Sequence, residues 1–219
     1  LKVKKLLSEN NIHIEKFKPE QIAKSLIKKQ IVALYYDGIE IGPRALGHRS
    51  FLGDARTPKM KDTLNAKIKH REAYRPFAPI VLKSDFSNYF VSSTDDHPYM
   101  LQAPKCTNRA LNNVPAICHV DGTARVQTIT SENGIIFDIL KSYKENCGES
   151  VIINTSFNDN EEPIVFSKID AICSFLRCNA DILILGKKVI ERQKIPNIEN
   201  FKNESEKLQK KIMDRFFED

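Results

Sequence analysis

The chain is 219 residues long, 41% hydrophobic and 28% charged, with a formal net charge of +6; this is the make-up of an ordinary soluble globular protein with room for a full core. No apolar run approaches the roughly 18 residues of a membrane helix, and no signal peptide opens the sequence. Five cysteines (Cys106, Cys118, Cys147, Cys173 and Cys178), odd in number and without a CxxC pair, read as reduced thiols of a cytoplasmic protein rather than a disulfide framework or a structural zinc site.

The chain opens on a leucine inside a helical pattern, as a piece of a longer protein would. Residues 1–18 read as a short helix and a connector. Pro19 then starts a helix to Lys29, with Glu20 in its first turn and Ile22, Ala23, Leu26 and Ile27 on one face. Ile31–Tyr36 is a compact apolar run that predicts a buried strand, closed by Asp37-Gly38. Gly42, Pro43 and Gly47 predict a loop whose backbone can come close to a ligand, with Arg44, His48 and Arg49 as donors. Arg49–Asp54 reads as a short strand, Pro58–Ile68 as a helix and Phe77–Lys83 as another buried strand.

Residues 84–113 are mixed, with a short helix expected around Phe86–Phe90. Pro115–Val120 is expected to be a strand that turns through Asp121-Gly122 into a second one. Gly134–Asn146 reads as a helix stopped by Gly148, and Val151–Ile153 as a strand delivering the polar loop Asn154–Asn158. Pro163–Phe166 extends again. Ser167 and Asp170 cap a helix, and Asp181–Leu185 and Lys187–Ile190 form a strand pair around Gly186. After Pro196 a charged tail carries one apolar stripe, Leu208, Ile212 and Phe216, that must pack on something. Three units are therefore expected: residues 1–18, a main domain 19–195 and a helical tail 196–219. The interleaving of helices and strands makes the class α/β or α+β.

Charge is concentrated in one place. Residues 42–79 hold nine Lys/Arg against three acids, a surplus of six that equals the formal charge of the whole chain. Three polar clusters stand at strand ends or loops: Arg44, His48 and Arg49 with Lys69, Arg71 and Arg75; His119, Asp121, Thr123 and Arg125; and Asn154, Thr155, Ser156 and Asn158. Arginine forks and lysine point charges suit phosphate groups, while Asn and Ser orient amides, carbonyls and ribose hydroxyls. No HExxH, GxSxG or Walker loop is present, so chemistry here would rest on positioning and charge neutralisation. Each cluster also has a plain structural reading: surface arginines at a turn, the solvated end of a helix, a capped hairpin, Asx turns.

The motifs, taken together and in order, carry a resemblance. Gly42-Pro-Arg-Ala-Leu-Gly-His-Arg-Ser50, the run from Asn65 through Lys69-His-Arg71 to Arg75-Pro-Phe-Ala-Pro79, His97-Pro-Tyr-Met-Leu101, His119-Val-Asp-Gly-Thr-Ala-Arg-Val-Gln-Thr128 and Asn154-Thr-Ser-Phe-Asn158 with Glu162-Pro-Ile-Val165 resemble the C-terminal domain of the O-carbamoyltransferases that modify antibiotics and nodulation factors. The resemblance runs from about Pro19 to Ile190. It implies a YrdC-like α/β fold, a twisted open mixed sheet with a concave basic face. It also implies formation of a carbamoyl-adenylate from carbamoyl phosphate and ATP, with Mg²⁺ accompanying the nucleotide, and transfer to an acceptor hydroxyl by an N-terminal actin-like domain.

By the same resemblance, Lys69, Arg71, Arg75 and Arg125 are expected on the carbamoyl phosphate and nucleotide phosphates. Arg44, Asn154, Ser156 and Asn158 are expected to hold the nucleotide, with His48, His119 and Asp121 in support; no metal ligand is assigned. Two positions depart from the family pattern: Asp37-Gly38 stands where Gly-Arg is common, and Glu161 replaces a usual glycine. Rival readings are an RNA-binding module, disfavoured by the absence of Trp and the few aromatics among the basic residues, and an interaction domain that has lost catalysis.

Overall fold

The computed structural model describes residues 2–38, 40, 42, 44–72, 74–159 and 162–217. The chain runs α1 (Lys2–Glu9), β1 (Glu15–Lys16), α2 (Pro19–Ile27), β2 (Val32–Tyr35), β3 (Arg49–Asp54), α3 (Pro58–Leu64), β4 (Ala78–Leu82), α4 (Phe86–Tyr89), β5 (Phe90–Val91), β6 (Lys105–Cys106) and α5 (Asn108–Asn113), followed by β7 (Gln127–Ile129), α6 (Ile135–Cys147), β8 (Val151–Ser156), α7 (Lys168–Arg177), β9 (Ile182–Leu185), β10 (Lys188–Glu191) and α8 (Ile198–Phe217).

Eight strands form one open mixed sheet in the order β1-β10-β9-β2-β3-β8-β4-β7, and β5 and β6 pair separately. Strand β2 lies parallel to β9 and β4 to β7, while the β2–β3, β3–β8 and β8–β4 pairs are antiparallel. The central strands are apolar on both faces because helices cover both. On one face Val32, Leu34, Leu52, Ile80 and Ile152 pack with Ile22 and Leu26 of α2 and Ile139, Leu140 and Tyr143 of α6. On the other, Ala33, Phe51, Val81 and Ile153 join Leu64 of α3 and Ile172 and Phe175 of α7. The Phe51 and Phe157 rings pack tilted, with centres 4.6 Å apart, in this second layer.

Local chemistry sets the element ends. Pro19 and Pro58 start their helices, where a missing N–H costs nothing. Ser167 and Asp170 form a reciprocal capping box at α7, and Gly148, left-handed at φ +79°, ends α6. The tail helix α8 packs on α7 through a fully buried Phe201; Leu208 and Ile212 lie against the same core, and Gln209 donates to Asp170 at 2.7 Å. The Phe216 side chain is not among those described.

Three expectations are corrected. Pro115–Val120 is not a strand: Pro115–Ile117 is a 3-10 turn, because the N–H groups of Ile117 and Cys118 bond back to Val114 and Pro115. The predicted helix Pro58–Ile68 is α-helical only to Leu64. It continues as a π turn, Asn65–Lys69, and stops at His70, which is left-handed at φ +45°. The strand expected at Val151–Ile153 runs on to Ser156, so Asn154 is held in the ladder and not in a loop.

Candidate functional site

The strand register gathers four connecting segments at one end of the sheet. Tyr35 pairs with Arg49, Ser50 with Ser156, Asn154 with both Leu52 and Ala78, and Ile80 with Gln127. Residues 36–48, 65–77, 119–126 and 157–167 therefore approach or leave the sheet at the same end, beside the final residues of β8.

Lys69 is the hub of one group. The π turn directs its side chain inward, where it is only 6% exposed. Its ammonium donates among four oxygens: Ser156 O at 2.7 Å, Ser156 Oγ at 3.2 Å, Asn158 O at 3.0 Å and Asn158 Oδ1 at 2.7 Å. Burial, reinforced by neighbouring Arg71, lowers its pKa to about 8. Ser156 Oγ donates to Asn158 Oδ1 at 2.6 Å, and Asn158 Nδ2 to Glu162 O at 2.6 Å. Arg71 Nε donates to Asn65 Oδ1 at 2.7 Å, with its guanidinium 4.7 Å from the Phe77 ring centre; burial, then Arg75, pushes that guanidinium down. Arg75 is exposed and ion-paired with Glu72 at 3.1 Å.

A second group is organised by Glu40, which sequence reasoning missed. Its Oε1 accepts the main-chain N–H groups of Leu46 (2.9 Å), His48 (2.8 Å) and Arg49 (3.0 Å), so the loop ahead of β3 is wound around one carboxylate oxygen. The loop is pinned from the sheet as well: Asn154 Nδ2 donates to Ala45 O at 2.8 Å and Gln127 Nε2 to Leu46 O at 2.9 Å. Gly47, at φ +97°, passes so near α6 that a Cβ would sit 3.3 Å from Ile136 Cγ2.

Arg49 is not free to bind a ligand as expected. Its Nη1 donates to Tyr36 O at 2.8 Å and its Nη2 to Asp37 O at 3.0 Å, with the guanidinium stacked 3.6 Å over Tyr35. Asp37, where the sequence departs from the family pattern, is left-handed at φ +52° and contributes its carbonyl to that clamp. Glu161 lies outside the described residues.

Arg125, Arg44, His119 and Asp121 form the third group. Burial and the charge of Arg44 lower the Arg125 guanidinium. Burial also lowers His119, opposed by Asp121 and aided by Arg125. Thr123 fixes the hairpin: its Oγ1 lies 3.2 Å from His119 Nδ1 and donates to Asp121 Oδ1 at 2.7 Å, which holds the Asp121 carboxyl below the usual range.

The predicted residues thus fall into two sets, Lys69–Arg71–Ser156–Asn158 and Arg44–Arg125–His119–Asp121. Asn154 and Ser156 stand two positions apart on β8: Ser156 belongs to the Lys69 set, and Asn154 holds the loop around Glu40. Around them stand buried polar atoms without a partner among the described residues: Glu40 Oε2, His48 Nδ1, Arg125 Nε and Asn154 Oδ1. Native proteins rarely leave such atoms unpaired unless water, an ion or a ligand completes them. Gln127 and Asn65 act here too, through the backbone they hold, and their types in strand and helix patterns gave no sign of it.

Comparisons with known proteins fit this picture. Residues 23–192 match the family model described as carbamoyltransferase C-terminus. Nodulation protein NolO of Bradyrhizobium diazoefficiens is 42% identical over 157 residues, covering 70% of this chain and 29% of that protein. Nodulation protein NolNO of Sinorhizobium fredii is 41% identical over 157 residues (70% and 23%), and nodulation protein U of Rhizobium tropici 35% over 188 residues (83% and 32%). The chain spans about a quarter to a third of the length of these relatives. Among solved structures, full-length HypF in its phosphate- and nucleotide-bound form superposes with a TM-score of 0.57 at 18% identity, over 85% of this chain and 23% of that one. The HypF of T. kodakarensis superposes at 0.50 and 16% identity (82% and 21%). At such identities the likeness is one of fold, and the fold is the YrdC-like α/β one.

Proposed function

This chain belongs to the carbamoyltransferase C-terminus family, and from that premise we propose that it is the activating domain of an ATP-dependent carbamoyltransferase. It takes carbamoyl phosphate and ATP and yields a carbamoyl-adenylate, pyrophosphate and phosphate. That balance consumes one water, which parts the carbamoyl group from its first phosphate; a carbamate oxygen then displaces pyrophosphate from the α-phosphorus. The cytoplasm is the setting, and an N-terminal domain of the full-length protein receives the adenylate for transfer to a hydroxyl.

The observation that carries this reading is the set of unpartnered buried atoms at a basic sheet end: Arg125 Nε as donor, Asn154 Oδ1 and Glu40 Oε2 as acceptors, and His48 Nδ1. A carbamoyl group has an amino group to donate and a carbonyl to accept, and phosphates accept from guanidinium forks. We assign Arg71, Arg75 and Arg125 to phosphate oxygens. Lys69, already bonded to Ser156 and Asn158, adds its charge at short range while setting their geometry. Arg44, Asn154, Ser156 and Asn158 hold the nucleotide, with His48, His119 and Asp121 orienting the loops. Mg²⁺, arriving with the nucleotide, would neutralise phosphate charge beside these cationic side chains; no residue is assigned to hold it.

The test is pyrophosphate release with the N-terminal half supplied. Release should require both ATP and carbamoyl phosphate and fall by about 10–100-fold in Arg125→Ala, the loss of one charge-assisted contact. Undiminished release in that variant, or no ATP binding by calorimetry at millimolar nucleotide, would overturn the proposal.

A further inference from the structure

Strand β6 and the hairpin that carries His119 and Arg125 are stitched together by their backbones. Cys106 N–H donates to Gly122 O at 2.8 Å, Ala124 N–H to Pro104 O at 3.0 Å and His119 N–H to Thr123 O at 2.8 Å, while Lys105 pairs antiparallel with Thr123. Within this patch the Cys106 and Cys118 thiols lie close enough for each to act first on the other's ionisation. Both are half-buried and packed at the rim of the core. We propose that Cys106 and Cys118 form an intramolecular disulfide when the protein meets peroxide, and that the bond fixes the segment bearing His119 and Arg125 to β6.

Because of that mutual influence, one of the pair can ionise while the other keeps its proton. The ionised sulfur attacks one peroxide oxygen, giving a sulfenic acid and releasing hydroxide. The second sulfur then attacks the first, the S–S bond forms, and water leaves with the second thiol's proton. Two thiols and one peroxide become one disulfide and two waters; sulfur gives up two electrons and peroxide takes them. The other cysteines are poor competitors. Burial raises Cys147, pushes Cys173 up to about 12 and Cys178 up to about 11, and Cys178 lies against Ser174 Oγ at 3.6 Å.

The inference needs no assumption about the reaction the domain performs, and its test reads the bond directly. The full chain is treated with hydrogen peroxide, unfolded in N-ethylmaleimide and digested with trypsin without reduction. Cleavage after Arg109 separates the two cysteines, so the bond appears as peptide Cys106–Arg109 joined to Ala110–Arg125. Under the same treatment Cys118→Ser should leave Cys106 alkylated, and amide exchange across residues 119–125 should slow several-fold in the oxidised protein and recover with dithiothreitol. Sulfinic acid on unlinked peptides, a link through Cys147, Cys173 or Cys178, or a covalent dimer would each overturn the site. A link formed with unchanged exchange would overturn the fixing of the hairpin.

Discussion

Lys69 Nζ and Asn158 Oδ1 meet at 2.7 Å across 89 residues of sequence, and Ser156 O, Ser156 Oγ and Asn158 O stand around the same ammonium. A buried cation held mainly by carbonyl, hydroxyl and amide dipoles, with Asp159 a lesser influence, is costly to hold, and that cost makes it measurable. The folded pKa is about 8, below the ordinary 10.5, so the folded state disfavours the charged form. The penalty is fully present below pH 8 and is relieved as pH rises towards 10.5, where the unfolded chain still binds the proton. Wild-type stability should therefore climb relative to Lys69→Met between pH 8 and 10.5, by on the order of 3 kcal/mol. Urea denaturation across that range would show it, and parallel pH profiles would refute the assignment.

Glu40 anchors three N–H groups with one oxygen. Glu40→Ala strands those donors and should destabilise the fold by about 1–3 kcal/mol. Glu40→Gln, which keeps an acceptor but not the charge, should recover about half of that. Chemical denaturation of the two variants checks the order; equal losses would mean that packing, not acceptance, sets the loop.

Gly47 combines φ +97° with the approach to Ile136. Gly47→Ala should cost about 1–3 kcal/mol from backbone strain and the contact together. The double variant Gly47→Ala/Ile136→Val should regain only the part due to the contact. Thermal unfolding separates the two contributions.

Asp54 sits fully buried at the opposite end of β3, accepting from Tyr143 Oη at 2.6 Å and pairing with Arg56 at 2.8 Å. Burial works to raise its carboxyl, but the bonds from Arg56 and Tyr143 win and hold it below 3.8. A depressed carboxyl stabilises the fold above pH 3.8 and loses that contribution as pH falls through its folded value. Asp54→Asn should cost about 2 kcal/mol at neutral pH, and the gap to wild type should narrow in acid. A gap that stays constant down to pH 2 would count against it.

Much of this was legible in the residues, and the misses have identifiable causes. Strands β2, β3, β4 and β9 stood out as apolar runs between turn residues, and the Ser167–Asp170 cap announced α7. The π turn after Leu64 was not readable, since Met60, Leu64 and Ile68 continue an α-helical period that only the tertiary pull on Lys69 breaks. Pro115–Ile117 has strand-like composition, but its N–H groups close locally. The basic stretch pointed to Lys69 and Arg71. It also pointed to Arg49, whose donors hold backbone carbonyls instead. Glu40 left no trace, because one acid in a loop looks solvated until three N–H groups are found aimed at it.

The tail helix bears on where this domain can be cut. The family match ends at residue 192, yet Phe201 is wholly enclosed and Leu208 and Ile212 rest on the same core as α7. A truncation that followed ancestry would strip α7 of its cover and leave a greasy groove open to solvent, inviting aggregation. The matched stretch and the mechanically intact unit have different borders here, and a fragment meant for the bench has to respect the second.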